Sequence, residues 1–236
     1  MSHRPFKERL YSQFGRIGTA LASSRRLELL DLLAQGPRHV EALAAEADMT
    51  VANVSQHLQI LRRAHLVETD REGTKILYRL ADRSVVDLWL ALRAVAESQL
   101  AEVEQLAHEY ALDVGDDDVP RAELQQKLKI GEAYVIDVRP ALEFASGHLP
   151  GAVSLPVEEL TKRLQELPRD RPIVAYCRGR YCLFADEAVA LLRKHGFDAH
   201  RMEGGWPEWS SEGRPAVSRQ PRAKTGAATR KGRGTQ

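Results

Sequence analysis

The sequence predicts a multidomain chain, a mainly α unit carrying a two-stranded ribbon followed by an α/β unit built on a parallel sheet. Three observations predict it. Up to about residue 110, apolar residues recur at helical spacing over long stretches. Beyond residue 120, short Val/Ile runs of strand length alternate with helical patterns. Between the two, residues 109–118 hold five acids and no base, and Gly115 and Pro120 fall in the stretch 113–120, which reads as a boundary. The 236 residues suit two domains of about 100 residues each. We expect a first domain over residues 1–112, an acidic linker over 113–120 and a second domain over 121–217. Residues 218–236, rich in Arg, Lys, Gly and Thr, read as a disordered basic tail.

Composition excludes several classes. Hydrophobic residues make up 43% and charged residues 28%, ordinary for a globular protein and too apolar for a disordered one. No stretch approaches the roughly 20 apolar residues of a membrane span. Residues 1–18 carry four basic residues without a continuous apolar core, so they do not read as a signal peptide. The expected compartment is the cytoplasm, with no membrane partner. The net charge of +1 hides an uneven distribution, so it says little about partners. Cys177 and Cys182 are the only cysteines. Two are too few for a secreted disulfide framework, and their closeness points to local thiol chemistry.

In the first half, Phe6, Leu10, Phe14 and Ile17 mark one helix and Leu27, Leu30 and Leu33 a second, capped by Ser23 or Ser24 and ended by Gly36-Pro37. A short helix is expected over 40–47. Thr50 is the N-cap candidate of the next, whose buried stripe is Val51, Val54, Leu58 and Leu61. Residues 66–69 and 76–80 read as strands joined by the polar turn 70–73. A long amphipathic helix follows over 84–110, with Val85, Leu88, Trp89, Leu92, Val95, Leu100, Val103 and Leu106. So small a domain leaves that helix little to pack on, and a partner subunit would supply the surface.

This order is that of a winged helix-turn-helix. The helix after Thr50 is expected to expose Asn53, Ser55, Gln56, His57 and Gln59 opposite its apolar stripe. Asn and Gln suit bidentate contact with adenine in the major groove, and Ser and His suit bases or phosphates. Arg71 and Lys75 in the ribbon suit phosphate or minor-groove contact. Any one of these residues alone would be an ordinary solvated side chain; the agreement of element order and basic wing gives them meaning together. The run 54–67, Val-Ser-Gln-His-Leu-Gln-Ile-Leu-Arg-Arg-Ala-His-Leu-Val, closely resembles the recognition helix of ArsR-type regulators, with His65 where that family usually has glycine. The resemblance covers about residues 10–110. It implies a homodimer on palindromic double-stranded operator DNA, with the first and last helices at the dimer interface. The family's metal sites are not matched: residues 40–44 lack cysteine, and Asp87, Glu102, His108 and Glu109 lack the zinc-type spacing. No metal or cofactor is expected, and the sensor should lie in the second half.

There, residues 134–138 and 173–176 are short apolar runs of the kind buried on both faces of a parallel sheet. The second runs directly into Cys177-Arg178-Gly179-Arg180-Tyr181-Cys182, followed by a helical pattern over 183–195 with Ala188, Leu191 and Leu192 inward. The carboxyl end of a strand leading into a helix is where α/β folds place ligands. Loop amides and the helix N-terminus favour an anion, and Arg178 and Arg180 are expected to add to that field. Such surroundings lower a cysteine pKa from about 8.5 to roughly 3.5–7.5 and produce a reactive thiolate.

Asp137-Val138-Arg139-Pro140, Glu143-Phe144, Gly147-His148-Leu149-Pro150-Gly151-Ala152, the cysteine loop and Glu203-Gly204-Gly205-Trp206-Pro207-Glu208-Trp209 together resemble a rhodanese domain over about residues 118–216. The resemblance implies that Cys177 accepts a sulfane sulfur as a persulfide and passes it to a thiol or cyanide, with loop amides of residues 178–181 holding its charge. Asp137, Arg139, Glu143 and His148 match positions read as structural, Arg139 paired with a carboxylate. Phosphatase or arsenate-reductase chemistry on this fold needs an arginine six positions after the cysteine, and Leu183 stands there. Cys182 has two readings of equal weight, a resolving thiol for a Cys177 persulfide or a small hydrophobe packed under the loop.

Two functions compete. One is a regulator whose second domain senses sulfane sulfur or redox state, with a sulfur donor or thiol acceptor as its small-molecule partner. The other is a sulfurtransferase with turnover whose DNA-binding half controls its own operon. Arsenite sensing is weaker, since trigonal thiolate binding needs a third sulfur. Any signal from the loop is expected to travel through the helix over 84–110 and the acidic linker.

Overall fold

The structure, a computed structural model, describes residues 3–110 and 117–218. The expected basic tail after Ser218 and the first half of the expected linker lie outside the described residues. The first unit comprises α1 (Arg4–Leu21), α2 (Ser24–Ala34), β1 (Arg38–His39), α3 (Val40–Glu46), α4 (Val51–Arg63), β2 (Val67–Glu72), β3 (Lys75–Leu80), α5 (Arg83–Gln99) and α6 (Ala101–Tyr110). It is a winged helix, with α3 and α4 as the helix-turn-helix and an antiparallel sheet of order β1-β3-β2 as the wing.

Local chemistry explains the elements. The Thr50 side chain accepts a hydrogen bond from the Asn53 amide, satisfying a free donor at the start of α4. Val54, Leu58 and Leu61 are fully buried against Leu29 and Leu30 of α2, and burial of each contributes about 1.5–3 kcal/mol. The end of α4 is a Schellman closure: His65 N–H donates to the Arg62 carbonyl and Leu66 N–H to that of Leu61. His65 itself sits at φ +59°, in the left-handed region where its family-typical glycine would be at ease.

Three expectations are corrected here. The wing turn is tighter than residues 70–73, because β2 and β3 pair through Glu72↔Lys75 and leave only Gly73 and Thr74 between them. Gly73 takes φ +62°, which lets so short a loop close. The helix expected over 84–110 is two, since Leu100 is extended at φ −114°, ψ 102°. No proline or glycine marks the break, and the apolar stripe runs through it, so periodicity alone reads it as continuous. β1, too short to carry a pattern, was not anticipated; it pairs Arg38↔Tyr78 and His39↔Leu77.

The second unit comprises α7 (Arg121–Ile130), β4 (Tyr134–Asp137), α8 (Ala141–Ser146), β5 (Val153–Ser154), α9 (Val157–Arg163), β6 (Ile173–Tyr176), α10 (Leu183–Lys194), β7 (Ala199–Arg201) and α11 (Trp206–Ser211). Its parallel sheet has the order β5-β4-β6-β7, and β4 and β6 are central and almost wholly buried. Residues 117–119, part of the expected linker, pack on this unit. Asp118 is ion-paired with Arg201 at 2.8 Å, and Val119 is buried and bridged to Met202.

Candidate functional site

The cysteine loop begins where β6 ends. Cys177 is 1% exposed, Cys182 is half-buried, and the two are joined as a disulfide. Gly205 forms the floor. A Cβ on Gly205 would stand 2.5 Å from the Cys177 carbonyl oxygen and 2.4 Å from the Gly179 amide nitrogen, so only glycine lets the two backbones meet. The Trp206 N–H donates to the Cys177 carbonyl, and the Glu208 carboxylate accepts from the Gly205 N–H at 2.9 Å. The Glu-Gly-Gly-Trp-Pro-Glu-Trp run is thus the brace of the loop.

The loop is also bound to the winged helix. Gln35, fully buried just past α2, donates from Nε2 to the Arg178 carbonyl at 3.2 Å, and its Oε1 accepts from Arg139 at 3.3 Å. Arg139 is held by Asp137 at 2.6 Å, both without exposure, as the carboxylate pairing expected of it requires. Glu143 is buried between two arginines: Arg38 of the winged helix and Arg178 of the loop, the latter at 2.6 Å. Arg178 also meets Glu46 of α3 at 2.5 Å. Arg93 of α5 pairs with Glu208.

These contacts correct one expectation. The charge of Arg178 is taken by Glu143 and Glu46, which leaves Arg180, exposed and without a carboxylate partner among the described residues, as the unpaired cation of the loop. The loop region also meets the winged helix at Gln35, at Glu46 of α3 and, through Glu208, at Arg93 of α5, within the helix expected over 84–110. Gln35, Gly36, Arg38, Glu46, Arg93 and Glu208 escaped sequence reading in this role. Each is an ordinary polar or turn residue locally, and its contact across the junction exists only when the two units dock.

A cleft of about 350 Å³ lies where the units meet. It is lined by Asp31, Trp89 and Arg93 from one side and by the loop and the start of α10 from the other. The Trp89 indole donates to Asp31 at 3.0 Å. Burial pushes the Asp31 carboxyl above its ordinary value, against that hydrogen bond and the charge of Arg93. Burial and the Glu97 carboxylate likewise push the Tyr181 hydroxyl up.

On α4, Asn53, Gln56 and Gln59 are exposed, as are Arg71 and Lys75 on the wing. Ser55 and His57 are only half-exposed, and His57 Nδ1 is buried without a hydrogen-bond partner among the described residues. His57 lies three residues after Val54 and four before Leu61, which puts it on the flank of the buried stripe rather than opposite it. Among the described residues, no helix is long and apolar enough to cross a membrane.

Fold and site define a winged-helix transcriptional regulator joined to an α/β unit that displays a cysteine loop. The chain matches the bacterial regulatory protein arsR family over residues 23–69 and the rhodanese-like domain over residues 120–212. It is 44% identical over 209 residues to the HTH-type transcriptional regulator Rv0324 of Mycobacterium tuberculosis, covering 89% of this chain and 92% of that protein. A sulfurtransferase of Allochromatium vinosum is 33% identical over 97 residues, 40% of this chain and 89% of its own. A solution structure of a homodimeric winged helix-turn-helix DNA-binding domain from Mycobacterium bovis is 45% identical, with a TM-score of 0.40, covering 42% of this chain and 91% of that one. The chain belongs to the ArsR-family helix-turn-helix regulators that carry a C-terminal rhodanese domain.

Proposed function

We propose that this regulator reads sulfane sulfur or thiol redox state at Cys177 and Cys182 and converts it into a change of operator affinity. The observation that supports this reading is the bonding of the cysteine loop to the winged helix through Gln35, Arg178 and Glu46. The reduced Cys177 thiolate attacks the sulfane sulfur of a donor, the donor's sulfur–sulfur bond breaks, and the remainder of the donor leaves as its anion. The charge of the Cys177 persulfide rests on the amides of the loop residues Arg178, Gly179, Arg180 and Tyr181, with Arg180 as the nearby cation. The Cys182 thiolate then attacks the Cys177 sulfur, forms the disulfide and expels the outer sulfur as hydrosulfide. Any rearrangement of the loop pulls on the carbonyl of Arg178 and so on the end of α2, which packs on α4.

DNA is read by Asn53, Gln56 and Gln59, with Ser55 and His57 at the edge of the contact face and Arg71 and Lys75 on the backbone. The active form is a homodimer. Phe6, Tyr11 and Phe14 of α1 are 59–67% exposed, and Leu92, Val95 and Leu106 of α5 and α6 are exposed as well, an apolar surface that a second copy would cover. Standing sulfurtransferase turnover is the weaker reading, because the disulfide leaves Cys177 without a nucleophile until it is reduced.

Operator affinity of the wild type and of Cys177→Ser, each with and without polysulfide, tests the proposal. The wild type should shift by about 5–150-fold, the span of a coupling of roughly 1–3 kcal/mol, and Cys177→Ser should not shift. An equal response in both proteins would refute it.

A further inference from the structure

We infer that the cleft between the two units admits a small thiol, which resets the loop by attacking the disulfide at Cys182. The inference deepens the sensor reading and rests on it for its meaning, since it takes the disulfide as the signalled state.

The two sulfurs are not equivalent. Cys182 lines the cleft; Cys177 does not, and at 1% exposure it lies beneath the loop. Exchange requires the incoming thiolate to reach the sulfur it attacks, and only Cys182 is open to an approach from this side. The departing sulfur is then that of Cys177, at the carboxyl end of β6, where loop amides and the N-terminus of α10 favour an anion. A volume of 350 Å³ is at the lower end of ligand pockets, of about 300–1,000 Å³. That suits a small-molecule thiol and not the reactive loop of a folded protein. Trp89, Leu183 and Phe184 supply apolar wall, and Asp31 and Arg93 supply polar groups.

The chemistry balances over two steps. A thiolate RS⁻ bonds to the Cys182 sulfur as the Cys177–Cys182 bond breaks, giving a mixed disulfide at Cys182 and a Cys177 thiolate. A second RS⁻ attacks the outer sulfur, releasing RSSR and a Cys182 thiolate. Two thiols are oxidised and one protein disulfide is reduced. The mixed disulfide sits against Asp31, Trp89 and Arg93, so the winged helix is in contact with the intermediate.

Oxidised full-length protein is treated briefly with cysteamine, quenched in acid, alkylated, digested and mapped by mass spectrometry. Cysteamine should be found on Cys182 and the alkyl group on Cys177. In parallel, Leu183→Trp, at a position 37% exposed on the cleft wall, should slow reduction by cysteamine by about tenfold or more by restricting access, with its fold checked by circular dichroism. Cysteamine on Cys177, or an unchanged rate in Leu183→Trp, would overturn the inference. Operator affinity measured on the same samples separates the two claims. Adduct on Cys182 without any change in operator affinity on reduction would sink the sensor reading and leave the thiol site standing.

Discussion

Gln35 donates a hydrogen bond to the backbone carbonyl of Arg178, 3.2 Å away and 143 positions further along the chain. One end of this amide is on the cysteine loop and the other accepts from Arg139, so a winged-helix residue is held by the wall of the rhodanese site. A buried amide with both ends satisfied resists movement of either partner, since breaking one bond strands a polar group at a cost of about 1–3 kcal/mol.

Replacing that amide should separate sensing from response. In Gln35→Ala, the loop cysteines should still be modified by polysulfide as in the wild type, as read by mass spectrometry, while the accompanying shift in operator affinity falls to about twofold or less, from a coupling of roughly 1–3 kcal/mol. A full operator response in Gln35→Ala would remove this residue from the route.

Gly36 is needed at the junction for two reasons. Its φ is +146°, and a Cβ there would meet the Ser146 Cβ at 2.5 Å. Gly36→Val should therefore undock the two units without unfolding either. Small-angle scattering should show a larger radius of gyration, and limited proteolysis should cut faster between the units. Identical scattering profiles would contradict the junction.

The left-handed His65 carries a penalty that glycine avoids. His65→Gly should stabilise the protein by about 1 kcal/mol, since a side chain in that conformation costs roughly 1–2 kcal/mol and part of the gain is lost to the freer unfolded chain. Thermal unfolding should rise by about 2–4 °C for a chain of this length. A fall in the midpoint would mean that the imidazole makes a contact worth more than the strain.

Asp31 gives the stability a pH dependence of definite sign. Its folded pKa is raised, chiefly by burial, above the ordinary 3.8. Below 3.8 the carboxyl is protonated in both states and carries no penalty. As pH rises toward and through the raised folded value, the folded state holds the proton longer, so stability falls; above that value the penalty is complete. Asp31→Asn keeps an acceptor for the Trp89 indole. It should melt higher than the wild type at neutral pH, and the difference should vanish in acid. A constant difference across that range would show that the carboxylate is not the cause.

Recognition helix and wing should fail differently. Gln56→Ala should cost about 1–3 kcal/mol on the preferred operator and relax the preference at one base pair, whereas Lys75→Ala should weaken all sequences alike and lower the salt slope by about one. Gel-shift titrations on matched and altered operators over a salt series distinguish the two. Unchanged operator preference in Gln56→Ala would remove α4 from the major groove.

Much of this protein is decided locally, and that much is legible in the sequence. Helical spacing of Val54, Leu58 and Leu61 after the Thr50 cap, and the run of buried residues ending at Cys177, identify α4 and β6 because capping and burial pattern act over a few residues. Family motifs act over similar lengths, so both domains and the cysteine loop could be recognised from them. Leu100, extended without a glycine or proline, shows where such reading stops, because its conformation leaves no mark on the apolar period. His57 shows the same at finer scale: a flank position on a helix turns in or out according to what packs beside it. Tertiary structure alone decided the junction. Gln35, Arg38, Glu46 and Arg93 acquire partners 104–143 residues away along the chain only when the two units dock. A buried polar group takes whichever complementary group the packing brings to it, and no local pattern encodes that choice.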